Sequence, residues 1–214
     1  TVSCDTDTFT VTSNGITSYP FVKKTPAGLK SQNFSWTIST KPAVAAATTS
    51  IETKMSAVAF TVTGLPIYGP LEGPTPTAEA YGDPVYNELL DTCGGHTGYN
   101  ADYHNHQVFA IAACSLEETI VGYALDGFPI YSNPSDKWKS GYEKTGNPKS
   151  YSFKAYTYTG GTNALDKCNG QTQADGSYRY YITESFPYVI GCYTGTFKKQ
   201  TGIAAQAINM DHHK

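Results

Sequence analysis

The chain has 214 residues, a formal net charge of −3 and only 15% charged side chains; it is long enough to bury a core but too sparsely charged for long solvated helices. A pI of about 5.9 and no basic run longer than the doublets Lys23-Lys24 and Lys198-Lys199 exclude the electrostatic footprint of a nucleic-acid binder. No apolar run is long enough to span a membrane, and 17 Tyr, 20 Gly and 12 Pro favour strands and turns. The expectation is a mainly β fold: one compact disulfide-stapled domain, sandwich- or barrel-like.

Residues 1–56 read as N-terminal strands packed on the core. The stretch VSCDTDTFTVTSNGITSYPF predicts strand, Asn14-Gly15 turn, strand. Asn33-Phe34-Ser35 is a glycosylation sequon that fits a secreted protein. The chain begins at Thr1 rather than Met, which suggests a mature form with its leader removed.

Residues 57–68 (AVAFTVTGLPIY) then run as a strand into a Thr63-Gly64 turn. Residues 70–84 form a loop broken by four prolines, and 88–93 suggest a short helical turn ahead of Gly94-Gly95. Next come His96, the segment Tyr103-His104-Asn105-His106, and Cys114. Residues 120–131 (IVGYALDGFPIY) repeat the strand and turn, with Asp126-Gly127 at the bend. Residues 134–150 are a polar insertion expected to form a surface lobe. Residues 198–214, with His212-His213, look like a tail.

These segments repeat in order. Gly64, Pro66, Ile67 and Tyr68 align with Gly127, Pro129, Ile130 and Tyr131. Leu90-Asp91-Thr92-Cys93-Gly94-Gly95-His96 matches Leu165-Asp166-Lys167-Cys168-Asn169-Gly170-Gln171. Tyr103 and Tyr178 each follow ten residues after those cysteines, and Cys114 and Cys192 close the two blocks. Residues 57–118 and 119–197 are therefore read as two copies of one β-rich unit within a domain spanning 57–197. Each copy then carries its own bridge, Cys93–Cys114 and Cys168–Cys192, which leaves Cys4 free or available for self-association. No C-x-x-C is present, and well-spaced cysteines in a loop-rich chain point to an oxidising, extracellular compartment.

The histidines carry the sharpest chemistry. His104 and His106 share one face of a strand, and the Gly94-Gly95 bend lets His96 fold back toward them. Three neutral imidazoles suit one ion of copper or zinc and leave a position open for water or substrate. The plain alternative is three polar residues on an exposed strand edge. Asp102, on the same side as His104, is a candidate fourth ligand or orienting acceptor. Asp126 could orient a metal-bound histidine, although a turn-capping role suits it better. Glu184 is a candidate general base.

CGGH, YHNH, GYALDGFPIY, LDKCNG, YRYYIT, FPY and GCYTG together resemble the YHYH-domain family of secreted proteins over about residues 57–195. The family is named for a Tyr-His-Tyr-His signature and is described without an established activity. Here Asn105 replaces the middle tyrosine while both histidines remain. In the second copy Arg179 and Tyr181 stand where the resemblance places histidines, and Gln171 replaces the counterpart of His96. The resemblance thus implies one retained metal site. It leaves Arg179, Tyr180 and Tyr181 either for anion or substrate binding or for a purely structural sheet.

Three functions fit these observations. The first is a secreted transition-metal-binding protein using His96, His104 and His106. The second is an extracellular metalloenzyme, hydrolytic or oxidative, with an open metal position. The third is a structural or adhesive matrix protein, which the Tyr, Thr and Gly abundance and the spare Cys4 would suit. A copper site built on an N-terminal histidine is excluded if Thr1 is the true start. Serine-hydrolase, dinucleotide and P-loop signatures are absent, and no motif specifies a small-molecule or polysaccharide substrate.

Overall fold

Residues 1–73 and 81–197 are described by the computed structural model. The tail expected at 198–214, with His212 and His213, lies outside them, as does the middle of the Pro-rich loop. Alternating Thr, Val and Phe near the N terminus form an antiparallel sheet of β1 (Val2–Cys4), β2 (Thr8–Ser13) and β3 (Phe34–Ser39). Its first turn falls at Asp5 rather than at Asn14-Gly15, because Asp5 Oδ1 accepts the Asp7 and Thr8 amides at 2.9 and 2.7 Å. Gly15 does adopt a positive φ of 67°, but the chain then runs without a strand to β3. From β3 the wholly buried Trp36 stacks on Phe34 and on Phe60, with centroids 5.2 and 4.9 Å apart. This joins the small sheet to the main core. β4 (Val44–Ser50) follows.

The duplicated segments build one eight-stranded sheet. The first copy supplies β5 (Ala57–Thr61), β6 (Pro66–Tyr68), β7 (Gly95–Thr97) and β8 (Tyr103–Asn105). The second supplies β9 (Ile120–Ala124) and β10 (Pro129–Tyr131). A small separate hairpin of β11 (Tyr142–Lys144) and β12 (Tyr156–Tyr158) comes next, fed by a single helical turn, α1 (Ser152–Ala155). β13 (Gly170–Thr172) and β14 (Tyr178–Tyr181) complete the second copy. β15 (Cys192–Gly195) then returns to pair with β4, so a strand upstream of residue 57 is tied to the end of the second copy.

The strand order is β13-β14-β10-β9-β5-β6-β8-β7, which reads as one copy mirrored by the other. At the centre β5 and β9 pair antiparallel, with Phe60 opposite Tyr123, Ala59 opposite Ala124 and Thr61 opposite Gly122. Phe60 and Tyr123 are equivalent residues of the repeat, so a pseudo-twofold axis passes between them. On either side β6 runs parallel to β8 through Ile67 and Asn105, and β10 parallel to β14 through the matching Ile130 and Tyr180. Each hairpin bends at the expected glycine, with φ of 83° at Gly64 and 96° at Gly127, angles that a side chain would strain.

The sheet is open, ending at β7 and β13, so the architecture is sandwich-like and not a barrel. Both bridges form as the repeat implies, Cys93–Cys114 and Cys168–Cys192. The helical turn expected at 88–93 occurs earlier, over residues 84–88. There the buried Asp83 carboxylate accepts the Val85 and Tyr86 amides at 2.9 and 3.1 Å. No helix among the described residues is long and apolar enough to cross a membrane.

Candidate metal centre

The outer edge of the first copy brings the three histidines together. β7 and β8 pair so that His96 lies directly opposite His104, which puts both rings on one face. His106 follows two residues on and shares that face; its amide donates to the Gly94 carbonyl at 2.9 Å. Strand alternation sends Tyr103 the other way, where its hydroxyl donates to both oxygens of Asp91 at 3.0 and 2.9 Å. The Tyr103 ring crosses the strand so closely at Gly95 that a Cβ there would collide with it.

A fourth side chain completes the group. Glu72 reaches in from the Pro-rich loop, and its Oε2 lies 2.7 Å from His96 Nε2 and 3.2 Å from His106 Nε2. His96 Nε2 and His104 Nε2 are 3.1 Å apart, and one ligand atom from each of the four residues falls within 4.8 Å of all the others. The edge of a tetrahedron built on metal–ligand bonds of ~2.1 Å is ~3.4 Å, so a small contraction brings all four onto one ion. The three histidines are 1–2% exposed.

The backs of the rings decide their protonation. His106 Nδ1 donates to the Gly69 carbonyl at 2.7 Å, and His96 Nδ1 to the Leu89 carbonyl at 3.2 Å. His104 Nδ1 faces the Asp102 carbonyl at 3.3 Å and the Asp102 carboxylate at 3.4 Å. Oxygens of these kinds only accept, so each Nδ1 carries a proton, and a ring with that single proton turns a bare Nε2 lone pair inward. With all three rings in that form, three lone pairs and a carboxylate converge with no donor among them. His106 Nε2 and Glu72 Oε2 are both buried without a hydrogen-bond partner. Such a set calls for a cation, and Glu72, His96, His104 and His106 could hold a metal ion.

The electrostatics agree. Burial and the neighbouring His96 and His106 push the His104 imidazole down to about 4, against the opposing pull of Asp102. Burial alone would raise the Glu72 carboxyl, but hydrogen bonds and positive charge from His106 and His96 outweigh that and hold it well below the usual carboxylate range, so a cation, whether proton or metal, belongs against Glu72. Tyr68 stacks on His104, with centroids 3.9 Å apart and rings 15° from parallel, and its hydroxyl donates to Asp102 Oδ2 at 3.4 Å. Asp102 and Tyr68 together fix the orientation of His104.

Other residues singled out in the sequence lie elsewhere. Asp126 sits in the second copy, where Oδ2 accepts the Tyr180 hydroxyl at 2.6 Å and the Gly195 amide at 2.8 Å. Its partners are those of a turn and a strand end, not of a histidine. Arg179 and Tyr181 line the opposite end of the sheet, on β14. Glu184 is exposed and meets Gln107 only through its backbone carbonyl. Cys4 is a free, exposed thiol on β1, and Asn33 is exposed just before β3.

Sequence reasoning missed Glu72, which stands in an irregular loop with neither periodicity nor a counterpart in the second copy; the residue at that offset is Ser135. None of the curated proteins and no solved structure matches this chain. The family model described as YHYH protein matches residues 35–195, from β3 through β15 and across the whole histidine cluster, and the chain belongs to that family.

Proposed function

We propose that this protein is an extracellular transition-metal-binding protein that holds one zinc or copper ion through His96, His104, His106 and Glu72. The observation that carries the reading is the inward convergence of three Nε2 lone pairs and one carboxylate, each ring locked by an acceptor at its Nδ1. Imidazole nitrogens select zinc and copper over magnesium or calcium. Four protein donors fill a tetrahedral zinc shell, which favours holding the ion over catalysis at an open position. Two intrachain disulfides support an oxidising compartment, and the exposed Asn33 sequon would present a glycan to solvent.

The test is elemental analysis of untagged protein. One ion per chain is expected in the wild type, with less than ~0.1 per chain in His104→Ala, because removing one of four ligands costs orders of magnitude in affinity. Glu72→Gln is expected to weaken binding by ~10–100-fold. An unchanged metal content in His104→Ala would overturn the assignment.

A further inference from the structure

The far end of the eight-stranded sheet is the counterpart of the metal centre, and its side chains have changed charge. Arg179, the only arginine in the chain, occupies the position of His104, and Gln171 that of His96. The two lie directly opposite each other on β14 and β13, in the register that His104 and His96 share on β8 and β7. The packing is retained as well. The Arg179 guanidinium sits 4.5 Å from the Tyr131 ring centroid, as His104 sits on Tyr68, the equivalent tyrosine. Tyr181, the counterpart of His106, packs 6.0 Å from Tyr131, matching the 5.9 Å between His106 and Tyr68. The insertion adds Trp138, half-buried and 6.0 Å from Tyr181.

Three properties of this patch point to a ligand. Arg179 is half-exposed and makes no ion pair among the described residues. Stacked over Tyr131, it keeps its planar fork of N–H donors available, the geometry that grips a carboxylate in two parallel bonds. Gln171 Oε1 is buried with no hydrogen-bond partner, so turning this part-exposed amide outward to a hydroxyl donor would relieve it. Tyr131 and Trp138 are half-buried rings beside these polar groups, the first under Arg179 and the second with the Lys137 ammonium 4.9 Å from its centroid, and their remaining exposed surface suits the C–H face of a ring. A carboxylate, a hydroxyl and a flat C–H face occur together in a sugar acid.

We propose that the Arg179 patch binds an acidic saccharide, with its carboxylate on Arg179, a hydroxyl on Gln171 and a sugar face against Tyr131 or Trp138. This site is independent of the metal centre. On this view the duplicated sheet presents a cation-holding end and an anion-holding end.

The probe is a galacturonic-acid trisaccharide, titrated calorimetrically and by tryptophan fluorescence at physiological salt. Trp36, the other of the two tryptophans, is fully buried, so quenching reports Trp138. The acid trisaccharide should bind with quenching, and the neutral galactose trisaccharide and inorganic phosphate should each bind at least about tenfold more weakly. Arg179→Gln should lose about tenfold or more and Arg179→Lys less, with an unchanged far-UV spectrum. Trp138→Ala, in the surface insertion, is the second variant and should also weaken binding. The proposal is overturned by no binding to the wild type, by equal affinity for the neutral sugar or for phosphate, or by unchanged affinity in Arg179→Gln.

Discussion

The two ends of the central sheet share the hydrogen bonds that set their shape and differ in the side chains of one face. Asp91 accepts the Cys93 and Gly95 amides and the Tyr103 hydroxyl. Asp166 accepts the Cys168 and Gly170 amides and the Tyr178 hydroxyl. Gly94 and Asn169, at matching positions, both take left-handed backbone angles, φ 78° and 70°. In each copy the residue three beyond the tyrosine, His106 or Tyr181, donates its amide to that carbonyl, at 2.9 and 3.0 Å. The scaffold is therefore separable from the chemistry it displays. One end gathers imidazoles and a carboxylate, while the other gathers an arginine, an amide and aromatic rings.

The disulfides give the sharpest way to break this equivalence. Cys93–Cys114 and Cys168–Cys192 close loops of 21 and 24 residues, each worth ~3.4 kcal/mol in the chain-entropy description. Replacing either pair with alanines should lower stability to denaturant by similar amounts. Only the Cys93→Ala/Cys114→Ala variant should also weaken metal affinity, because Cys93 leads into the Gly94-Gly95 bend that carries His96. Equal loss of metal from both double variants would contradict that division.

Acid should separate the copies next. His104 is held at about 4, below the ordinary 6.5 of an imidazole. In metal-free protein the unfolded chain takes up this proton first. The contribution is therefore complete above pH ~6.5 and is lost as the pH falls to ~4, by up to ~3 kcal/mol. The second copy contains no histidine and so has no imidazole to add to this transition. Denaturant midpoints between pH 4 and 7 in a chelator, for wild type and His104→Gln, isolate the effect; superimposable curves would refute it.

The smallest effect tests the shared framework. Tyr103→Phe and Tyr178→Phe each remove one hydroxyl donor from a carboxylate that keeps two amide partners, and each should cost ~1 kcal/mol. Tyr103 also accepts a hydrogen bond from Tyr19 at 3.2 Å, so its loss should be slightly the larger. A difference above ~2 kcal/mol between the two, measured by equilibrium unfolding, would show that the copies do not share this framework.

Much of this was legible in the chain itself, because duplication writes local chemistry twice. The paired glycines at 64 and 127 disclosed both hairpins, and the cysteine spacing disclosed both bridges. Spacing of two placed His104 and His106 on one face, since strand alternation is a purely local rule. Asp5 as the first turn was less legible, because Asp5 and Asn14-Gly15 are both good turn formers and only the pairing of β1 with β2 selects between them.

The sequence by itself therefore determined the β class, the repeat, the disulfide partners and three of the four residues of the candidate metal centre. Tertiary structure alone decided the pseudo-twofold pairing of Phe60 with Tyr123, the entry of Glu72 and the oxygen acceptor behind each ring. These depend on contacts between segments far apart in the chain. His106 meets Gly69 across 37 residues, and no local periodicity encodes such a meeting. For the same reason the sequence favours a turn for Asp126 and an ion for His104, but it supplies neither the Tyr180 hydroxyl that meets the first nor the Glu72 carboxylate that joins the candidate metal centre beside the second.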